Sequence, residues 1–444
     1  MSLSPARSAA FDILMRVEQG AFADELLHSE RLDKISLADR ALCMEIVMGV
    51  LRWRSQLDET IASWSKTPPQ KLDAEVVTAL RMGVYQLVHL ERVPPHATVD
   101  QTVELVKRVG RRFAAPMTNA VMRKIAAAKP GPRPLTIEGS SLELIAAATA
   151  HPRWLLQRWE TAYGADAARR IAHYDQRIPV PALRLRDSET ESDLHREGIE
   201  LAPGALLRGA RRVISGDATR THALAEGRAY LQDEASQLVA LLVGHGTRIL
   251  DCCAAPGGKT SVIAEHNPSA LVVAAELRPA RARLTRRLVR ARNVLVVAAC
   301  AEALPLMPDF DRVLADVPCS GTGTLARNPE IKWRLRSEDL PDLHRRQVSI
   351  LRAALACLVP GGRLVYSTCS LEREENEDVV AEVMADHSDL RLLDCCDGLQ
   401  WLKAAGELIW DDLDSLVQGK FLRTLPGVHL CDGFFGAIIE RVPA

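Results

Sequence analysis

Two cysteines hold the sharpest chemistry this sequence offers. Cys319 lies in Asp316-Val-Pro-Cys-Ser-Gly-Thr-Gly323, and Cys369 in Leu364-Val-Tyr-Ser-Thr-Cys-Ser-Leu371. Each follows an apolar run that reads as a strand, and each has small polar neighbours. Most cysteines are small buried hydrophobes, which is the expectation for Cys43, Cys357, Cys395 and Cys396. A thiol at the mouth of a strand is different. Its reference pKa of about 8.5 falls beside positive charge or helix amides. The resulting thiolate is a strong nucleophile that needs no triad.

A third stretch could bind the co-substrate. Arg248-Ile-Leu-Asp-Cys-Cys-Ala-Ala-Pro-Gly-Gly-Lys-Thr260 passes from a short apolar strand through a glycine turn into a helical pattern. Strand, glycine turn and helix together suit a nucleotide-type ligand, because glycine lets the backbone approach it closely. A phosphate-binding loop would need glycine where Cys253 stands, and G-x-G-x-x-G also fails. What remains holds a nucleoside without gripping a triphosphate, which suits S-adenosylmethionine. An ordinary strand-to-helix turn is the competing reading.

A thiolate beside a methyl donor is what methylation at carbon 5 of a pyrimidine requires. Carbon 5 is a poor nucleophile until a thiolate adds at carbon 6. The carbon 5 proton must later leave and the enzyme be expelled, which a second thiol could assist. Asp316 could hydrogen-bond the base edge and favour protonation at ring nitrogen 3.

The elements from about residue 230 onward must bring these groups together. Strands are expected at 248–252, 271–276, 294–299, 312–317 and 363–368, and helices at 259–266, 279–291, 343–358 and 373–386. This alternation marks a doubly wound α/β sheet. Asp432-Gly433 between Val428-His-Leu430 and Phe434-Phe-Gly-Ala-Ile-Ile439 suggests a closing hairpin with an antiparallel strand. Ligands of such sheets sit beyond the carboxyl ends of the strands. Those ends supply the Cys253–Lys259 turn, Glu276 for ribose hydroxyls, Cys300, Asp316 with Cys319, and Cys369.

Residues 1–128 read as nearly all helix, with apolar faces at Ile13, Leu14 and Val17, at Leu42, Ile46, Val47, Val50 and Leu51, and at Val76, Val77, Leu80, Val84, Leu87 and Val88. Ser36-x-x-Asp39 and Thr98-x-x-Gln101 look like capping boxes. Residues 129–142 read as a linker around Pro130-Gly-Pro-Arg-Pro134. Residues 143–229 read as a small mixed α/β module, with a helix through Trp154–Tyr163 and a strand over Val180–Arg186. Residues 230–444 form the sheet domain.

The 444 residues are too many for one core, so two or three domains are expected. The net charge of −1 conceals a split. Residues 1–135 carry 19 Lys+Arg against 15 Asp+Glu, and the remainder 37 against 42. Neither part is basic enough to announce nucleic acid by charge alone. Two local patches are basic: Lys107-Arg108-x-x-Arg111-Arg112 with Arg123-Lys124, and residues 278–292. The latter hold arginines at 278, 281, 283, 286, 287, 290 and 292 and no acid. On a helix, 283, 286, 287 and 290 share a face; such a face is either solvated or set against phosphates. No C-x-x-C pair supports a zinc or redox motif, and no metal site is expected. No signal peptide or membrane span is read, so the expected compartment is the reducing cytoplasm.

These motifs together resemble the bacterial RsmB (Sun, Fmu) family of small-subunit ribosomal RNA cytosine-5 methyltransferases. Asp251–Thr260 is similar to its cofactor motif. Asp316-Val-Pro-Cys-Ser-Gly-Thr-Gly-Thr-Leu-Ala-Arg-Asn-Pro-Glu-Ile-Lys-Trp333 resembles the motif around its releasing cysteine. Leu364–Leu371 with Glu374, Glu375 and Asn376 resembles the motif around its nucleophile. The N-terminal helices, with Arg40-Ala-Leu and Gly49-Val-Leu-Arg-Trp-Arg54, resemble its NusB-like RNA-binding domain.

The resemblance implies a Rossmann-like class I methyltransferase domain behind an all-α NusB-like domain and a small α/β module. It implies Cys369 as nucleophile, Cys319 as the thiol aiding release, and Asp316 facing cofactor and base. S-adenosylmethionine would be held by Cys253, Ala254, Ala255, Pro256, Gly257, Gly258, Lys259, Glu276 and Asp316. The implied substrate is 16S ribosomal RNA, free or in a partly assembled subunit, with cytosine 967 as the family's usual target. A monomer acting without metal or membrane is expected. Cys300 departs from the family, which has an acid near the adenine there; the neighbouring Glu302 could substitute, or the backbone alone could suffice. Two other functions fit the sequence: a transfer RNA cytosine-5 methyltransferase, and a non-catalytic RNA-binding assembly or transcription factor. An exocyclic-amine methyltransferase is disfavoured, because Asp316-Val-Pro-Cys319 lacks the acid or amide, two prolines and aromatic that such an enzyme would carry.

Overall fold

The computed structural model describes residues 3–29, 32–132 and 141–443. Most of the expected linker, 133–140, lies outside the described residues. The chain divides into two compact units, Met1–Ile178 with Leu325–Arg334, and Pro179–Thr324 with Leu335–Ala444.

The first unit is helical: α1 (Pro5–Glu18), α2 (Ala23–Leu27), α3 (Leu37–Trp64), α4 (Ala74–His89), α5 (Pro95–Arg108), α6 (Ala115–Ala128), α7 (Leu142–Ala148) and α8 (Arg153–Tyr174). Apolar residues at helical spacing close its core, with Ile13, Leu14, Ile46, Val47, Val50, Leu80 and Val84 all buried. Gly49 lets α3 and α4 approach, since a Cβ there would stand 1.9 Å from the Tyr85 ring. Ser36 caps α3 by accepting from the amide of Asp39 at 3.1 Å. Thr98 is not a cap. Pro95 already opens α5, where a missing N–H costs nothing, so Thr98 lies inside the helix.

The helix expected in the mixed module belongs to this first unit. Trp159, Leu155 and Leu156 of α8 are buried, and the Gln56 amide of α3 donates to the carbonyls of Ala147 and Ala148 at 2.9 and 2.8 Å. The unit therefore ends near Ile178, and the mixed module begins later than residue 143. Leu325–Arg334 is also part of the unit: Lys332 Nζ donates to the Arg52 carbonyl (3.0 Å) and Trp333 Nε1 to the Leu51 carbonyl (2.6 Å).

The second unit holds two sheets. The smaller is antiparallel, of β1 (Ala182–Leu185), β2 (Glu200–Pro203), β3 (Ala210–Ser215) and β4 (Ala229–Leu231), ordered β2-β3-β1-β4. The larger comprises β5 (Arg248–Asp251), β6 (Leu271–Glu276), β7 (Val294–Ala298), β8 (Phe310–Asp316), β9 (Leu358–Thr368), β10 (Leu390–Leu393), β11 (Val417–Gln418), β12 (Phe421–Thr424) and β13 (Phe434–Arg441). Its order is β11-β12-β13-β9-β8-β5-β6-β7, with β10 also on β13. Strands β5 to β9 run parallel, and β13 is antiparallel to β9. This is a Rossmann-like sheet. β5 lies between β6 and β8, so the winding reverses at its carboxyl end, where such sheets bind ligands.

Three expectations shift. Val428–Leu430 forms no strand; Pro426-Gly427 turns the chain, and the Leu425 amide donates to His429 Nδ1 at 2.9 Å. The hairpin partner of β13 is instead β12, with Thr424 opposite Phe434. The helix starting at Pro279 ends at Leu288, because Val289 turns extended, so Arg290 and Arg292 lie beyond it. The helix expected from 373 begins at Glu377, because Asn376 leaves helical geometry. Among the described residues no helix is long and apolar enough to cross a membrane, and no cluster of three or more His, Cys, Asp or Glu could hold a metal.

Candidate active site

The carboxyl ends of β5, β6, β8 and β9 bring most of the expected residues together. Beyond β8 and β9, the sulfurs of Cys319 and Cys369 stand 3.4 Å apart, and both residues are half-buried. Parallel pairing of Asp316 with Ser367 sets that register. The amide of Val317 donates to the Ser367 carbonyl (3.0 Å) and that of Gly323 to the Cys369 carbonyl (2.9 Å), tying the two loops backbone to backbone. Hydrogen bonding to Cys369, then burial and the charges of Glu375 and Asp316, push the Cys319 thiol well up. Cys319 therefore keeps its proton and can donate it to the other sulfur.

Lys259 supplies the positive charge. Its Nζ lies 2.8 Å from Asp316 Oδ2 and 4.9 Å from the centre of the Phe434 ring. Burial works against its charge, but Asp316, by charge and hydrogen bond, and Cys369 outweigh that and raise its pKa. Ser367 Oγ donates to the other Asp316 oxygen at 2.7 Å. Asp316 is thus fixed from two sides.

The turn Cys252–Gly257 follows β5. Its Ala255–Pro256 peptide is cis, and Gly257 has φ 111°, a left-handed value that favours glycine. A Cβ on Gly257 would lie 2.5 Å from Val289 Cγ2. Ala254 is buried, Cys253, Ala255 and Gly258 are half-buried, and Pro256 is exposed. Burial raises the Cys253 thiol, so it stays neutral. Glu276, buried at the end of β6, accepts from the Arg278 amide through Oε1 (2.9 Å). Beside the turn, Gln232 Oε1 is buried with no partner among the described residues, and a Cβ on Gly258 would come within 3.4 Å of its amide carbon. A glycine-lined turn, an end-of-strand carboxyl and an unused amide acceptor suit a nucleoside bearing hydroxyl and amine donors. No signal in the sequence marks Gln232.

A second buried group stood in a motif without a role assigned to it. The Glu375 side chain, fully buried, accepts at Oε1 from the Ser320 amide (2.8 Å) and Gln347 Nε2 (2.9 Å). At Oε2 it accepts from the hydroxyls of Ser320 and Ser370. Gln347 also donates to the Pro318 carbonyl at 3.0 Å. Thr368 Oγ1 donates to Asn376, whose amide donates to the Ser370 carbonyl (2.9 Å). The residues flanking both thiols thus converge on one side chain. The expected substitute for an acid near Cys300 is engaged elsewhere: Glu302 pairs with Arg346 at 3.0 Å.

The family model described as 16S rRNA methyltransferase RsmB/F matches residues 238–440, and the NusB family model matches residues 4–127. A probable ribosomal RNA small subunit methyltransferase B of Bacillus subtilis is 31% identical over 88% of this chain and 90% of its own length. The ribosomal RNA small subunit methyltransferase B of Klebsiella pneumoniae subsp. pneumoniae is 34% identical over 98% of this chain and 97% of its own. The chain belongs to the RsmB/F family of 16S rRNA methyltransferases. Its first unit contains a NusB domain, and its large sheet is the methyltransferase domain. A methyltransferase homologue from Pyrococcus horikoshii superposes with TM-score 0.55 and 25% identity over 68% of this chain and all of that one. A crystal structure titled PH0851 reaches TM-score 0.79 over 99% of this chain and all of its own, at 22% identity, and shows the shared fold.

Proposed function

We propose that this RsmB/F member methylates carbon 5 of a cytosine in 16S ribosomal RNA through a covalent adduct between Cys369 and carbon 6 of the base. One observation carries the reading. Two thiols 3.4 Å apart sit at the ends of neighbouring strands beside a Lys259–Asp316 pair. One sulfur can attack while the other stays protonated.

Cys369 is the attacking sulfur. The thiolate adds to carbon 6, and the displaced ring electrons make carbon 5 nucleophilic. Asp316, held by Ser367 and Lys259, faces the base edge and stabilises a proton on ring nitrogen 3. S-adenosylmethionine, when held by Cys253 through Lys259, Glu276 and Asp316, offers carbon 5 an electrophilic methyl on a sulfonium. Cys319 serves the release: once Cys369 is bound in the adduct and no longer shares its proton, Cys319 gives that proton to solvent and, as thiolate, takes the carbon 5 proton; that C–H pair re-forms the ring double bond, and the carbon 6–sulfur pair returns to Cys369. The target base must leave its stack to reach the sulfur, which costs a few kcal/mol, less in a loop or bulge.

Bisulfite sequencing of ribosomal and transfer RNA, from cells with and without this protein, tests the proposal. One 16S cytosine should lose protection without the protein and stay unprotected when Cys369→Ala replaces it. Protection lost from transfer RNA alone would move the substrate, and full protection with Cys369→Ala would end the covalent mechanism.

A further inference from the structure

Outside the thiol site, one surface of the second unit has a charge that neither the fold nor the chemistry uses. All seven arginines between 278 and 292 are exposed. Among the described residues none of them pairs with a carboxyl group. Two spend a nitrogen on the backbone: Arg281 donates to the Ala255 carbonyl (3.4 Å) and Arg290 to the Ala225 carbonyl (3.3 Å). Elsewhere in the same unit, exposed arginines are mostly neutralised. Arg248 pairs with Asp309, Arg345 with Asp342, Arg352 with Glu382 and Asp386, and Arg373 with Asp378. Acids outnumber bases over residues 136–444, yet this stretch has no acid at all.

The placement of the stretch is specific. The helix Pro279–Leu288 buries Ala282 and Thr285, and it turns Arg283, Arg286 and Arg287 outward. Thr285 and Val289 wall the glycine turn at Gly257. The arginines therefore start at the turn proposed to hold the methyl donor. They run on to Arg290, whose side chain lies against Gly227, two residues before β4.

We infer that this arginine stripe is the track along which the RNA backbone lies while its target base occupies the thiol site. The inference rests on the RNA methylation reading and adds the surface that reading lacks. The occupant is a polyphosphate chain rather than a single anion, because the guanidinium groups are spread along a helix and its extension and do not converge on one point. Guanidinium forks bind phosphate oxygens bidentately. Each phosphate neutralised on a single strand adds about 0.7 to the slope of log affinity against log salt.

The test uses the full-length protein, a 16S rRNA transcript, and Arg283→Gln/Arg286→Gln/Arg287→Gln. These residues lie outside the proposed catalytic and cofactor sets. The variant should bind the transcript about 10- to 100-fold more weakly, with a salt slope shallower by about 2, while calorimetric affinity for S-adenosylmethionine and the melting temperature stay at wild-type values. With saturating RNA the loss should fall on KM and spare kcat. The triple Arg→Lys variant should keep the salt slope. Wild-type affinity and slope in the Gln variant would overturn the stripe. So would wild-type binding to polyglutamate or anionic vesicles as tight as to RNA at equal salt. If the Gln variant loses RNA affinity but wild-type protein leaves no 5-methylcytosine, the stripe stands and the chemical reading falls.

Discussion

Cys319 and Cys369 lie fifty positions apart in the chain, and their sulfurs lie 3.4 Å apart in the fold. The contact makes their roles unequal. A hydrogen bond between two sulfurs needs one proton, and hydrogen bonding, burial and nearby acids all hold it on Cys319. Cys369→Ala should therefore abolish transfer. Cys319→Ala should still add to the base but fail to release it, so a denaturant-resistant protein–RNA complex should accumulate on gels. A Cys319→Ala protein that turns over normally, or never cross-links to a competent RNA, would deny the releasing role.

Glu375 should position both sulfurs without touching substrate. Glu375→Gln can still accept from the Ser320 amide and Gln347 at its carbonyl oxygen, and its amide N–H groups can donate to the Ser320 and Ser370 hydroxyls. Glu375→Ala leaves those donors buried and unpaired, at about 1–3 kcal/mol for each lost partner. Activity should fall in the order wild type, Gln, Ala. The loss should appear in kcat and cross-linking rate, with calorimetric affinity for S-adenosylmethionine unchanged. Equal activity in Ala and wild type would remove the positioning role.

Gly323 sets the closest approach near the site. A Cβ there would stand 2.1 Å from the carbonyl oxygen of Gly433, while the Gly433 amide donates to the Gly323 carbonyl at 2.7 Å. Backbone on both sides leaves nothing flexible to yield. Gly323→Ala should cost at least about 1–3 kcal/mol and slow transfer by displacing the Cys319 loop. Gly209→Ala, which meets nothing within 4 Å, is the control. Matching urea midpoints for the two variants would contradict the packing argument.

The strands were legible because β5, β6, β8 and β9 are buried apolar runs, and a doubly wound sheet converts their order into a list of carboxyl ends. That order alone set Cys253, Glu276, Asp316, Cys319 and Cys369 on one rim. Glu375 was visible as a motif letter and mute about its partners, since Gln347 reaches it from a helix 28 positions away. Asn376 broke the helix expected from 373 because its side chain serves Thr368 and Ser370, a tertiary demand that overrides local propensity. Val428–Leu430 misled because alternation looks the same in a strand and in a loop folded back on a histidine. Helix α8 was placed correctly along the chain but in the wrong unit, since what assigns it is its packing on α7, whose Ala147 and Ala148 carbonyls accept from Gln56 of α3.

Asp251 gives the fold a pH dependence with a definite sign. It is buried at the end of β5, where Thr260 Oγ1 donates to Oδ2 at 2.6 Å. Burial, reinforced by the charge of Asp316, raises its carboxyl from 3.8 to about 6, against the opposing pull of Thr260 and Lys259. Between those values the folded protein holds a proton that the unfolded chain has released. Stability must then fall as pH rises through this window, by about 3 kcal/mol in all, and stay lowered above it. Asp251→Asn keeps an acceptor for Thr260 and cannot ionise. Its urea midpoint relative to wild type should therefore rise from pH 4 to 6 and level off by pH 7. A difference that stays constant over that range would mean that Asp251 does not titrate there.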